Sequence, residues 1–256
     1  MPEYAEVVTI TEQLQSFVGG LIVEARSTKS DGTLEFDGKR RAVRITSVSN
    51  RGKYIIIHLS NNELLIIHLG MTGRLSTNPG EKHLRLKLNF KDGRVLYFYD
   101  PRGFGRFYLS DVLPKPDYID PAERDYYPSL ALKITHKSRV IYDLLLDQKV
   151  AFGVGAYLAQ ESLLKAGVHP LSRELTPEQA REVCKALKEV IKQAIKHKGA
   201  TMRDYRSLTG EKGRMQNYFK VYGRAGLPCK ICNSTVIKEK YRSRSFAYCP
   251  SCQSVA

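Results

Sequence analysis

No run in the 256-residue chain approaches the length of a membrane-spanning helix, so no membrane partner is expected. The opening Met1-Pro2-Glu3-Tyr4 lacks the basic-then-apolar order of a signal peptide, which predicts a cytoplasmic location. Cysteine is scarce: there are five, four in two pairs near the C-terminus and Cys184 alone in a helical stretch. That is too few and too clustered for a secreted disulfide framework. No internal repeat and no low-complexity tract is present, and 42% hydrophobic against 26% charged residues excludes a disordered chain. Acidic residues are also in short supply. Lys and Arg total 41 against 26 Asp and Glu, a net charge of +15. An imbalance of this size favours polyanionic partners, because Lys and Arg displace condensed counterions from phosphate.

What is present falls into an ordered series of patterns. Val7, Ile10, Leu14 and Phe17 recur at helical spacing, so residues 5–18 read as an amphipathic helix stopped by Gly19-Gly20. From about 21 to 110 the pattern becomes that of strands. Tyr54–Ile57 and Leu64–Ile67 flank one turn, and Leu86–Phe90 and Val95–Tyr99 flank Lys91-Asp92-Gly93, a hairpin signal. This predicts a mainly antiparallel β domain, a sandwich or a barrel. Residues 113–130 hold Pro114, Pro116, Pro121 and Pro128 among many charges and read as a linker or ordered crossover. Helical patterning returns over 131–200, with Thr176-Pro177-Glu178 as a well-formed helix start. The last stretch, 221–256, is short and polar. The whole is an α+β chain in two domains with a small terminal module.

Cys229-x2-Cys232 and Cys249-x2-Cys252 fit the two-knuckle zinc pattern, each pair turning two thiolates toward one ion. Two disulfides or an iron site are the alternatives, and a reducing compartment favours zinc. So short a segment buries little core, and one structural Zn2+ is expected to hold it folded. Lys238, Lys240, Arg242 and Arg244 lie between the pairs with only Glu239 acidic. This basic hairpin suits phosphate, although a solvated charged face has the same composition.

Pro2 follows the initiator Met. With Met1 removed it offers a secondary amine, and α-amino groups titrate at about 7.7–8.0, so a useful fraction is neutral at physiological pH. Such an amine can attack C1′ of a deoxyribose and form an iminium, an electron sink. Alone this is weak evidence, since many chains begin Met-Pro. Glu3 and Glu6 are equally expected from the helix dipole.

Read in order, these pieces resemble the Fpg/Nei family of DNA glycosylases and abasic-site (AP) lyases, and its formamidopyrimidine-DNA glycosylase (Fpg/MutM) branch in particular. The resemblance runs through Met1-Pro2-Glu3-Tyr4-Ala5-Glu6-Val7, Arg51-Gly52-Lys53-Tyr54, His68-Leu69-Gly70-Met71-Thr72-Gly73 and Asp100-Pro101-Arg102-Gly103-Phe104-Gly105. It continues through Asp147-Gln148-Lys149-Val150, Gly153-Val154-Gly155, Glu161-Ser162-Leu163, Tyr222-Gly223-Arg224 and Tyr248-Cys249-Pro250-Ser251-Cys252-Gln253. It spans essentially the whole chain in the family's order.

The resemblance implies a catalytic β-sandwich with a leading helix over 1–112, a linker over 113–130, a helix–two-turn–helix (H2TH) domain over 131–220 and a zinc-finger β-hairpin over 221–256. It implies a monomeric enzyme of base excision repair acting on double-stranded DNA that contains a damaged base or abasic site, and associated with the nucleoid through that DNA. By resemblance Pro2 is the Schiff-base nucleophile, Glu3 the acid–base carboxylate, Glu6 a second carboxylate in the same pocket, and Lys53 a phosphate-binding lysine beside the lesion. Met71, Arg102 and Phe104 resemble the side chains that fill the gap left by the extruded nucleotide. Lys149 serves phosphate or local structure, and Arg244 resembles the finger arginine on phosphate.

One position departs from the family pattern. The family usually has Gly-Val-Gly-Asn after the first H2TH helix, with Asn on a phosphate; here Ala156 follows Gly155. The long stretch Asp204–Phe219 is similar in length to the loop that covers 8-oxoguanine in Fpg-type members. The expected reaction is therefore excision of oxidised purines followed by β,δ-elimination. A Nei-type enzyme for oxidised pyrimidines and a non-catalytic damage-binding protein are the alternatives. A zinc-finger transcription factor leaves the first 200 residues unexplained.

Overall fold

The structure, a computed structural model, describes residues 2–27, 42–80, 82–115 and 117–253. Part of the predicted strand region (28–41), Pro116 of the predicted linker and the last three residues of the finger lie outside the described residues.

The chain divides into two compact units. The first takes Met1–Asp117 and His197–Arg214, the second Tyr118–Lys196 and Met215–Ala256. Residues 197–214, expected from sequence inside the 131–220 domain, thus pack with the first unit. Tyr205 and Leu208 are the reason: both are buried in that unit's hydrophobic core, a long-range contact with no local signature.

In the first unit, α1 (Tyr4–Leu14) runs into a 3-10 turn, Gln15–Phe17. Its apolar positions Val7, Ile10, Leu14 and Phe17 all enter the core, as their spacing predicts. Among the described residues, eight strands follow: β1 (Leu21–Ser27), β2 (Val43–Arg51), β3 (Tyr54–Leu59), β4 (Leu64–His68), β5 (Arg74–Ser76), β6 (Leu84–Phe90), β7 (Val95–Tyr99) and β8 (Arg106–Ser110). They pair antiparallel in the order β5-β7-β6-β1-β2-β3-β4-β8. The β1–β2 ladder is short, Leu21 against Arg44 and Ile22 against Val43, and the register shifts near it at Ile22/Glu24 and Ile45/Ser47. Short pairing and bulges let the sheet fold over on itself. The two halves then share one core, with Leu86, Leu88 and Phe98 from one side and Ile45, Ile55, Ile57, Leu65 and Ile67 from the other. This is a sandwich, one of the two architectures that the alternating pattern allows and the one that the family resemblance implies.

In the second unit, α2 (Tyr126–Ile134), α3 (Ile141–Leu146), α4 (Ala156–Ala166) and α5 (Pro177–Lys196) precede the hairpin β9 (Ile237–Tyr241) and β10 (Arg244–Tyr248). α2 begins inside the stretch 113–130 read as linker, and Pro128 sits in its first turn, where a missing N–H costs nothing. The start of α5 is as predicted. Thr176 Oγ1 accepts the Gln179 N–H at 3.3 Å and Gln179 Oε1 accepts the Thr176 N–H at 2.9 Å, a reciprocal cap. Cys184 is buried on this helix, and burial pushes its thiol up to about 12, so it is an inert core residue. Among the described residues, no helix is long and apolar enough to cross a membrane.

Candidate active site and nucleic-acid interface

The N-terminal end of α1 is assembled by a capping box. Glu6 Oε2 accepts the Glu3 N–H at 2.7 Å, and the Glu3 side chain caps the helix in return. Pro2, Glu3 and Glu6 are all buried. The other oxygen of Glu6 accepts the Ala200 N–H at 2.6 Å, so the carboxylate is held from two sides.

Lys53 lies at the β2–β3 hairpin, where Arg51 pairs with Tyr54 and Gly52 takes a φ of +53°. Glycine first in a two-residue turn is what such a hairpin requires. Lys53 is 6% exposed. Burial drives its ammonium pKa below the usual lysine range, while the charges of Glu3 and Glu6 oppose the shift. The four residues Pro2, Glu3, Glu6 and Lys53 therefore share a buried, charged end of the unit.

His68, at the end of β4, packs against Tyr54 with ring centroids 4.9 Å apart and the ring planes tilted by 51°. Its Nδ1 accepts the Gly70 N–H at 3.2 Å, which leaves the proton of the neutral ring on Nε2. Burial, then the cations Lys53 and Arg106, lower its pKa to about 4.

Met71, Arg102 and Phe104 come from two loops that touch. A Cβ on Gly70 would stand 2.6 Å from the Phe104 carbonyl, so only glycine permits the approach. Met71 is 42% and Phe104 54% exposed, far from the core position that apolar residues usually take. The Arg102 guanidinium lies 4.9 Å from the centre of the Phe104 ring, a cation–π contact. Beneath them, Asp100 is fully buried and bonds both loops. Neither Asp100 nor Thr72 was given a role from sequence, and nothing local signals one. A pocket of about 560 Å3 opens beside Thr72, with Arg74, Lys82, Arg203 and Arg206 on its walls and Asp204 as its acid. Arg203 and Arg206 come from the loop after α5.

Three further residue sets lie in the second unit. Lys149 is exposed in the turn after α3, three residues past the helix end; its N–H donates to Asp147 Oδ1 at 3.0 Å. Gln148 braces the same turn, accepting from Gly153 N–H at 3.1 Å and donating to Val154 O at 2.9 Å. Ala156 opens α4 behind the N-cap Gly155. Arg244, first on β10, donates to Asp143 Oδ1 at 2.8 Å, and Arg242 stands 3.8 Å from the same carboxylate. Asp143 was not foreseen as the partner that orients the finger arginine.

The sulfurs of Cys229, Cys232, Cys249 and Cys252 lie within 4.8 Å of one another, three of the pairs at 3.3, 3.4 and 4.0 Å. Four thiolates about 2.3 Å from one zinc stand about 3.8 Å apart, so this donor set fits one tetrahedral ion. The separations are far longer than a disulfide bond. Gln253 locks the second knuckle: its Oε1 accepts the Cys249 N–H at 2.9 Å and its Nε2 donates to Val168 O at 2.8 Å.

A helix-led β-sandwich with a buried Pro-Glu end, joined in one chain to an H2TH helical unit and a four-thiolate hairpin, defines the H2TH class of DNA glycosylases. Residues 1–107 match the formamidopyrimidine-DNA glycosylase N-terminal domain and residues 119–206 the formamidopyrimidine-DNA glycosylase H2TH domain. A formamidopyrimidine-DNA glycosylase of Desulforamulus reducens is 36% identical, with 99% of each chain covered. Among solved structures, the MutM (Fpg) protein of Thermus thermophilus is similar with a TM-score of 0.89 at 32% identity, covering all of both chains. A Lactococcus lactis Fpg variant in complex with Fapy-dG-containing DNA is similar at 0.87 and 29% identity, covering 98% of this chain and 99% of that one. The chain belongs to the formamidopyrimidine-DNA glycosylase family.

Proposed function

We propose that the protein is a bifunctional DNA glycosylase and abasic-site lyase of base excision repair. It removes oxidised purines such as 8-oxoguanine and formamidopyrimidines from double-stranded DNA, then cuts the strand by β,δ-elimination. It works in the cytoplasm, on the nucleoid. The observation that carries this reading is the buried end of α1, where Pro2 adjoins Glu3 and Glu6 and both carboxylates act on buried Lys53.

With Met1 removed, the Pro2 nitrogen attacks C1′ of the extruded nucleotide. The glycosidic bond breaks, the base departs with a proton, and the opened sugar is left as an iminium on Pro2. Loss of a C2′ proton then expels the 3′ phosphate, and a second elimination expels the 5′ phosphate. Glu3 carries protons at the sugar. Glu6, fixed by two N–H donors, holds negative charge beside the cationic intermediate. Lys53 balances the two carboxylates and offers its ammonium to the phosphate beside the lesion.

Met71, Arg102 and Phe104 fill the gap in the duplex, which offsets the few kcal/mol that extrusion costs. Their exposure supports this role, since none contributes to the core. The pocket beside Thr72 has room for a flipped base, and its guanidinium donors suit the carbonyl edges of oxidised purines. Lys149 and Arg244 bind phosphate. When bound, zinc supplies structural cross-linking only; Cys229, Cys232, Cys249 and Cys252 hold it and so present the finger arginine.

Borohydride trapping on a duplex with one 8-oxoguanine opposite cytosine tests the reading. A covalent protein–DNA band mapping to Pro2 is expected. Tight binding without a band would replace the enzyme by a damage-binding protein. A band only with oxidised pyrimidines would place the protein on the Nei side.

A further inference from the structure

We infer that Thr72 and Asp100 are positioning residues that set the geometry of Met71, Arg102 and Phe104. The inference rests on the gap-filling role proposed for those three. Asp100 is 0% exposed, and each of its carboxylate oxygens serves a different loop. Oδ1 accepts the Thr72 hydroxyl at 2.7 Å and Oδ2 accepts the Gly105 N–H at 2.6 Å. The Thr72 hydroxyl in turn accepts the Arg102 N–H at 3.2 Å. That hydroxyl donates to one partner and accepts from the other, so its orientation is unique. The Asp100 backbone is tied as well: its N–H donates to His83 O at 2.9 Å, and its carbonyl accepts Arg85 Nε at 3.0 Å.

Each gap-filling residue is therefore within one position of this cluster. Met71 precedes Thr72, Phe104 precedes Gly105, and Arg102 donates to it directly. The contact at Gly70 is backbone against backbone and leaves no slack. The Met71 and Phe104 side chains are about half exposed and lie outside the buried core cluster of this unit. Their placement comes from the backbone beneath. A buried carboxylate is a costly way to join two loops, and an apolar pair of similar volume packs as well. What it provides is fixed direction, which matters where a displacement of about 1 Å costs rate.

The test compares Thr72→Val, close in volume but without the hydroxyl, with Thr72→Ser, which keeps it. Two rates are measured under single turnover: excision of 8-oxoguanine from duplex, and cutting of a single-stranded oligonucleotide with an abasic site, where no gap needs filling. Thr72→Val is expected to lower duplex excision about tenfold more than single-strand cutting, the scale of one charge-assisted hydrogen bond, and Thr72→Ser to restore it. In Phe104→Ala and Arg102→Ala backgrounds the Thr72→Val effect should largely vanish, because the groups it positions are gone. A 2-aminopurine opposite the lesion reports the gap at equal folded concentration, so the test survives partial loss of stability. Equal losses on both substrates, full additivity with the Ala variants, or unchanged 2-aminopurine emission would overturn the inference. Duplex excision insensitive to Met71→Ala, Arg102→Ala and Phe104→Ala would instead overturn the gap-filling reading itself.

Discussion

Glu6 Oε1 accepts the Ala200 N–H at 2.6 Å, across 194 residues of chain. With Oε2 on the Glu3 N–H at 2.7 Å, one carboxylate fastens the end of α1 that carries Pro2 to the segment following α5. A side chain that the helix dipole alone would explain thus also closes the first unit.

The neighbour of Ala200 makes this contact testable. Gly199 has a φ of +75°, and a Cβ there would lie 2.6 Å from Glu6 Oε1. Gly199→Ala is expected to cost about 1–3 kcal/mol, the scale of a strained backbone position, and to slow borohydride trapping by displacing Glu6. Urea denaturation and trapping rates check both effects, and a variant equal to the parent in each would deny Glu6 this role.

Acid should weaken the first unit through His68. Its pKa is about 4 in the folded protein against 6.5 for the free side chain. The unfolded chain therefore binds the proton first. The stabilisation from keeping His68 neutral is present above pH 6.5 and is lost as pH falls from 6.5 toward 4, amounting to roughly 2–3 kcal/mol. His68→Asn retains an acceptor for the Gly70 N–H without the titration. Its urea midpoint should fall less than the parent's between pH 7 and pH 4.5.

The four-cysteine module should hold zinc near one ion per protein by elemental analysis. Cys232→Ser or a strong chelator should remove the ion, unfold the hairpin and abolish tight DNA binding, since so small a segment has only a few buried apolar side chains, Val221, Val236, Phe246, Ala247 and Tyr248. An active preparation with no metal would contradict this.

Ala156 begins α4, where the family usually places Asn on a phosphate. Ala156→Asn should tighten binding to a duplex with an abasic-site analogue by about 1–3 kcal/mol, the range for a hydrogen bond to a charged group. Titration at fixed salt measures it, since phosphate contacts are salt-dependent.

Much of the architecture was legible in short windows of sequence. The spacing of Val7, Ile10, Leu14 and Phe17 marked α1, Lys91-Asp92-Gly93 marked the β6–β7 turn, and Thr176-Pro177-Glu178 marked the start of α5. Each is a local preference of a few residues, and each was realised. The start of α2 lies inside the stretch 113–130 because Pro128 suits the first turn of a helix as well as a loop. Asp100, Thr72 and Asp143 were missed as organising residues. A buried acid has the same letter as a solvated one, and only its partners reveal it.

The sequence by itself determined the order of helices and strands, the thiolate set for one metal ion, the Pro2-Glu3 opening with Glu6 one turn on, and the family these define. Those are matters of periodicity, side-chain chemistry and spacing along a few residues. Only the tertiary structure decided that 197–214 packs with the β-sandwich, that Glu6 joins Ala200, that Asp100 clamps the Met71 and Phe104 loops, and that Asp143 orients Arg244. Each of these brings together residues remote in sequence or carried on separate loops and strands. Their proximity follows from how the elements pack, and no local preference encodes it.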